Sequence, residues 1–236
     1  LADAATYSVA WLDCLATGPT FGRGVVTWGE HATGRVDGDV LRRERLRAPS
    51  WVPSGLLNRS TVAMFNSTWH RRAPRSRDDE QQSLREFFYP LDAVADWNRV
   101  YGRGGFVQYQ FVVPDTELPV LRDILMEFTR TGTPSFLTVL KRFGPGNESP
   151  LSFPIAGWTL ALDIPTGVDG LAARLRWADE QVAAAGGRVY LAKDARMSAE
   201  SVAAMYPKLP QFREVRAQMD PRGLFASDQS RRLRLV

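Results

Sequence analysis

One cysteine in 236 residues, Cys14, leaves no partner for a disulfide within the chain. The two histidines, His31 and His70, have no cysteine cluster beside them and give no zinc-site spacing, so no metal is expected. No apolar run approaches bilayer-spanning length, and the opening LADAATYSVAW lacks the basic-then-apolar pattern of a secretory signal. These absences point to a cytoplasmic protein or one peripheral to the cell membrane. The chain opens on Leu1 rather than Met, so a piece of a longer protein, cut at a domain edge, is expected. Missing too are the P-loop lysine motif, a GxGxxG after a strand, GxSxG and HExxH. The GRGG at residues 102–105 reads as a turn before a strand rather than a phosphate cradle. Lysine is scarce: only Lys141, Lys193 and Lys208 stand among 30 basic residues, against 26 acidic ones. The net charge of +4 is thus largely arginine charge, and with no RNA- or DNA-binding motif beside it no nucleic acid partner is expected.

With 44% hydrophobic residues, the chain can bury a sizeable core in one large domain or two smaller ones. Its centre is residues 136–165, FLTVLKRFGPGNESPLSFPIAGWTLALDIP, which read as two strands joined by a Pro/Gly-rich loop. Alternation puts Leu137, Val139, Lys141 and Phe143 on one face of the first strand. In the second, Trp158, Leu160, Leu162 and Ile164 make an apolar face, with Thr159, Ala161 and Asp163 opposite. Residues 106–114, FVQYQFVVP, repeat the arrangement, with Val107, Tyr109, Phe111 and Val113 against Phe106, Gln108, Gln110 and Val112. A sheet with one face on a core and the other wet would look much like this. A wet face would seldom carry Phe106, Val112, Leu137, Val139 and Phe143, however, and an apolar surface with a few convergent polar groups is how a ligand-lining sheet looks.

Before this centre, residues 7–15 and 22–28 read as a hairpin, with Gly18 and Pro19 in its turn. Residues 31–61 should be mostly loop, with a short helix between residues 55 and 69. Residues 70–86, dense in charge, predict an exposed mobile loop, or a gate over a site. Pro90 opens a predicted helix carrying Leu91, Val94, Trp97 and Tyr101. Helices are also predicted over residues 115–130 and 169–185, then a short strand at 188–192 with Lys193 at its exit. A last helical region from Ser198 breaks near Pro207 and Pro210 and leaves a basic tail.

Four stretches carry a more specific signal: YPLDAVADWNRVYGRGGFVQYQFVVP, the central FLTVLKRF…LALDIP, GGRVYLAKDARMSAE and MDPRGLFASDQSRRL. Together they resemble the carboxy-terminal half of the decaprenylphosphoryl-β-D-ribose 2′-oxidases, actinobacterial flavoenzymes of the vanillyl-alcohol-oxidase type, over essentially all of residues 7–236. The resemblance implies an α+β fold, an antiparallel β-sheet flanked by helices. Residues 1–187 would form the substrate-binding cap domain and residues 188–236 would return to an FAD-binding module whose larger part is absent from this chain. It implies FAD as cofactor, a polyprenylphosphoryl ribose as substrate, a partner keto-reductase and peripheral contact with the membrane. The net chemistry would be epimerisation of ribose to arabinose for cell-wall arabinan, and the fragment alone should be inactive.

By the same resemblance Lys193 would stand beside both flavin and sugar as the catalytic and cofactor-contacting cation. Read from sequence alone, it is a surface lysine after a strand. Gln108, Gln110, Lys141, Phe88, Leu91, Leu137, Val139 and Phe143 match positions lining the family's substrate pocket. Thr159, Ala161 and Asp163 share that face, and Trp11 falls in a matching strand that could equally be core. Ala161 stands where mycobacterial members carry a cysteine, Thr159 where they carry an asparagine and Phe88 where they carry a tyrosine. Inhibitors that need the thiol should therefore fail here, while hydride transfer does not require it. Two other readings remain: an oxidase of a free alditol or aldonolactone, and a non-catalytic domain binding glycans or lipid phosphates through its arginines.

Overall fold

A computed structural model describes residues 5–33, 46–76, 80–89 and 94–236. Six strands form the main sheet: β1 (Tyr7–Leu12), β2 (Gly24–Gly29), β5 (Phe106–Pro114), β6 (Thr138–Phe143), β7 (Gly157–Pro165) and β8 (Arg188–Val189). Their spatial order is β2-β1-β6-β7-β5-β8, and every neighbouring pair is antiparallel. A separate parallel pair joins β3 (Leu46–Arg47) to β4 (Val94–Ala95). The expected α+β architecture is what the chain adopts.

Period-two patterning explains why the central strands form where they do. β5 and β7 pair over nine residues, from Phe106 opposite Pro165 to Pro114 opposite Gly157, so each strand's apolar set reaches the same face. Phe111, Val113, Leu160 and Ile164 are fully buried there. Against them pack the helices α3 (Leu118–Arg130) and α4 (Leu171–Ala184). Ile124 and Phe128 come from α3, Leu175, Ala178 and Val182 from α4. The same core takes in Tyr206, Leu209, Leu233 and Leu235 from the end of the chain. Two glycines permit the close strand contacts: a Cβ at Gly157 would run into the Val113 carbonyl, and one at Gly187 into that of Val112.

Several expectations need correction. The helix before Trp69 is α1 (Arg59–Arg72), 14 residues long, because Asn58 caps it and accepts the Ser60 and Thr61 amides. Its last turn and α2 (Leu84–Phe88) take up both ends of the segment read as loop, whose residues 77–79 lie outside the described set. Instead of a helix from Pro90, the chain makes β4 and then a single 3-10 turn, Trp97–Tyr101. Asp96 sets that boundary: its backbone is left-handed, φ 55°, and its carboxylate ties Arg47 and Arg99. Pro90 and Leu91 themselves are outside the described residues. β8 stops at Val189 and gives way to a 3-10 turn, Leu191–Lys193. The region after Ser198 splits at the prolines into α5 (Ala199–Met205) and α6 (Leu209–Met219), and the basic tail folds into α7 (Asp228–Arg232).

Candidate active site

The sheet's second face gathers the polar side chains. The register sets Gln108 opposite Asp163, Gln110 opposite Ala161, and Lys141 opposite Thr159, with Val139 beside Ala161 and Trp11 beside Val139. Nine of the residues singled out from sequence thus share one surface: Trp11, Gln108, Gln110, Val139, Lys141, Phe143, Thr159, Ala161 and Asp163. Leu137 stands at the entry of β6, where its carbonyl accepts the Asp163 amide at 3.1 Å and the Ser135 hydroxyl at 2.8 Å. Phe88 is set apart on α2, edge-on to Tyr7 at 5.0 Å and 39% exposed.

Hydrogen bonds stiffen the row. Gln108 Nε2 donates to Asp163 Oδ1 at 3.0 Å, Gln110 Nε2 to the Thr159 hydroxyl at 3.1 Å, and that hydroxyl to the Phe111 carbonyl at 2.8 Å. Each glutamine keeps a carbonyl oxygen that can accept from a ligand. At one end of the strands Tyr101 stacks on Phe106, centroids 4.2 Å apart, with Trp97 beyond. At the other end Phe143 meets Phe153 edge-on, and Phe153 stacks on Tyr190 at 4.6 Å. The polar row therefore lies between two aromatic clusters.

Lys193 reaches this row from the turn after β8. It is half-buried and shares a cleft with Gln108, Asp194 and Arg196. Burial lowers its pKa below the ordinary lysine range; the Asp163 charge opposes that shift and Lys141 adds to it. Asp163, 2% exposed, is pushed up to about 6 by burial, against the Gln108 hydrogen bond and the Lys193 charge. For both groups burial outweighs the attraction of the opposite charge. Among the described residues Asp163 Oδ2 has no hydrogen-bond partner, and neither does the buried Tyr101 hydroxyl, whose pKa burial and the Asp163 charge both raise.

Sequence reasoning missed what holds Lys193 still. Asp194 Oδ1 accepts the Arg196 and Met197 amides, at 2.9 and 2.8 Å, and its Oδ2 pairs with Arg232 at 2.7 Å. From α7 as well, Gln229 donates to the Leu191 carbonyl at 2.6 Å. On the core side Arg196 grips Asp179 with two nitrogens, at 3.0 and 2.8 Å, and the Tyr109 hydroxyl donates to the same carboxylate at 3.0 Å. The lysine's turn is clamped from both sides. One signal was available: Leu171, Leu175, Ala178, Asp179 and Val182 fall on one stripe of α4, so Asp179 is a charge on a buried face. Tyr101, Phe153 and Tyr190 carried no comparable mark.

Residues 176–233, which hold the whole clamp except Tyr109, match the pattern of the D-arabinono-1,4-lactone oxidase family. Decaprenylphosphoryl-β-D-ribose oxidase of Mycolicibacterium smegmatis is 40% identical over 239 residues, taking in 98% of this chain. The chain is a relative of that oxidase. It spans 52% of the length of the mycobacterial oxidase and 66% of an uncharacterized protein from the mprA 5′ region of Streptomyces coelicolor, to which it is 39% identical over 246 residues. The resemblance to the decaprenylphosphoryl-ribose oxidases carried by the four sequence stretches is thereby borne out, and the α+β fold fits it. No helix among the described residues is long and apolar enough to cross a membrane.

Proposed function

We propose that the chain is the substrate-binding part of an FAD-dependent oxidase that converts the 2′-hydroxyl of a polyprenylphosphoryl ribose to a ketone. One observation carries the reading: Gln108, Gln110, Lys141, Thr159 and Asp163 share one sheet face, and Gln108 lines a cleft with the half-buried Lys193, whose turn is clamped from both sides. Residues 1–187 would be the substrate domain and residues 188–236 the segment that meets the FAD module. A bound flavin supplies the hydride acceptor. The residues fit such a group: Lys193 is a fixed cation that favours negative charge gathering beside it during reduction. Gln108 and Gln110 orient the sugar through their free carbonyl oxygens, Lys141 attracts the phosphate, and Trp11, Val139 and Phe143 offer apolar surface to the ring and the prenyl chain. The keto sugar then passes to a partner reductase, and the lipid substrate brings the protein to a membrane surface.

The family match over residues 176–233 favours a second reading, oxidation of an aldonolactone or alditol. Anaerobic mixing of the FAD-loaded protein containing this chain with farnesylphosphoryl ribose tests both. Bleaching of the flavin band by the ribosyl lipid, and not by D-arabinono-1,4-lactone, supports the first. The opposite pattern overturns it, and a protein that takes up no flavin points to a binding domain.

A further inference from the structure

Asp163 accepts a hydrogen bond from Gln108 of β5, which lines one cleft with Lys193 of the turn after β8. The Asp163 and Lys193 charges act on each other, and the Asp163 charge acts on the hydroxyl of Tyr101 in the 3-10 turn before β5. Lys141 of β6 reaches the same cluster through its charge on Lys193. At 2% exposure the carboxylate is closed to a bulky ligand, while Lys193 is half-open. The two oxygens of Asp163 are used unequally: Oδ1 is held by the Gln108 amide, and Oδ2 by no group among the described residues. Most buried side-chain polar atoms have a hydrogen-bond partner, so the Asp163 Oδ2 is an exception that calls for an explanation. Among the described residues the cation whose charge acts on this carboxylate is the Lys193 ammonium, which the proposed chemistry needs charged.

We propose that Asp163 is a positioning residue rather than a ligand of the sugar: its carboxylate keeps the Lys193 ammonium charged beside the reacting centre and holds the Gln108 amide toward the substrate. The inference deepens the oxidase reading and rests on it for its purpose, but the Asp163–Lys193 coupling can be measured without any substrate.

Trace acetylation of the FAD-loaded protein across pH, with the Lys193 peptide followed by mass spectrometry, gives the midpoint at which that ammonium loses its proton. Asp163→Asn keeps an oxygen for Gln108 and removes only the charge, so the midpoint should fall by about one pH unit or more. Asp163→Glu, which restores the charge, should recover part of that fall. An unmoved midpoint in a folded Asp163→Asn protein overturns the proposal. So does the same midpoint in the Asn and Glu variants. In anaerobic flavin reduction by farnesylphosphoryl ribose, the alkaline limb should move down with the labelling midpoint, and kcat should fall more than KM because the Gln108 contact survives. A wild type that never bleaches with this lipid overturns the oxidase reading, and the labelling midpoint still decides the role of Asp163.

Discussion

Two buried aspartates lie on opposite sides of this sheet. Asp179 on the core side has both oxygens engaged, by the Arg196 guanidinium and the Tyr109 hydroxyl. Asp163 on the site side has one oxygen engaged and one without a partner among the described residues, and the cation whose charge acts on it, Lys193, has its pKa lowered by burial. Burial raises the pKa of both carboxyls, so desolvation is common to the two sites. Partner geometry separates them. A forked, permanently charged arginine locks a carboxylate in place, whereas a lysine leaves it titratable. The first arrangement holds a loop; the second keeps charge available.

The contrast breaks most visibly at Asp179. Asp179→Ala strips the partner from Arg196 and the acceptor from Tyr109, and should cost about 3–5 kcal/mol of unfolding free energy in denaturant titration. Lys193→Ala should leave the fold intact yet slow anaerobic flavin reduction by about 10²–10³-fold, the size of a lost preorganised electrostatic contact. A wild-type bleaching rate in that variant would remove Lys193 from the chemistry.

Asp163→Asn should act in the reverse sense on stability. Its carboxyl titrates near 6 in the folded chain against an ordinary 3.8, so the folded state holds the proton more tightly. Below about pH 4 both states are protonated and the substitution is neutral. As pH rises through this interval the unfolded chain releases its proton first, and the wild type loses stability. Above about pH 6 Asp163→Asn should therefore be more stable by up to about 2–3 kcal/mol, read as a melting-temperature difference that disappears in acid. A difference of the same size at low pH would show that charge is not its cause.

The two tyrosines sharpen the comparison on a finer scale. Tyr109→Phe removes a hydrogen bond to Asp179 and should cost about 1–2 kcal/mol. Tyr101→Phe removes a buried hydroxyl that has no partner among the described residues and should change stability by less than about 0.5 kcal/mol in either direction. Equal losses in denaturant titration would mean that the Tyr101 hydroxyl is satisfied in solution.

The strands at residues 106–114 and 157–165 were legible to the residue, since strict alternation has one good solution when a single face must be buried. That alternation also put Gln108 with Gln110 on one face of the first strand and Thr159 with Asp163 on one face of the second; the register that sets the two pairs side by side came from the structure. The turn at Asp96 was not legible, because the helical spacing of Val94, Trp97 and Tyr101 says nothing of a left-handed aspartate pulled over by Arg47, 49 residues away. Nor were Asp194 and Arg232, 38 residues apart, which pattern reading treats as two surface charges. Local periodicity reports which face a residue is on; it is silent about its partner across the fold.

That last pair has an evolutionary consequence. Asp194 shapes the turn carrying Lys193, and Arg232 closes on it from the far end of the chain, donating also to the Met197 carbonyl. Losing Arg232 leaves the nearly buried Asp194 carboxylate without its counter-charge, and losing Asp194 leaves the turn without the acceptor of two of its amides, so the two are bound into one heritable unit. Across diverging descendants of this sequence, positions 194 and 232 should be kept together or replaced together.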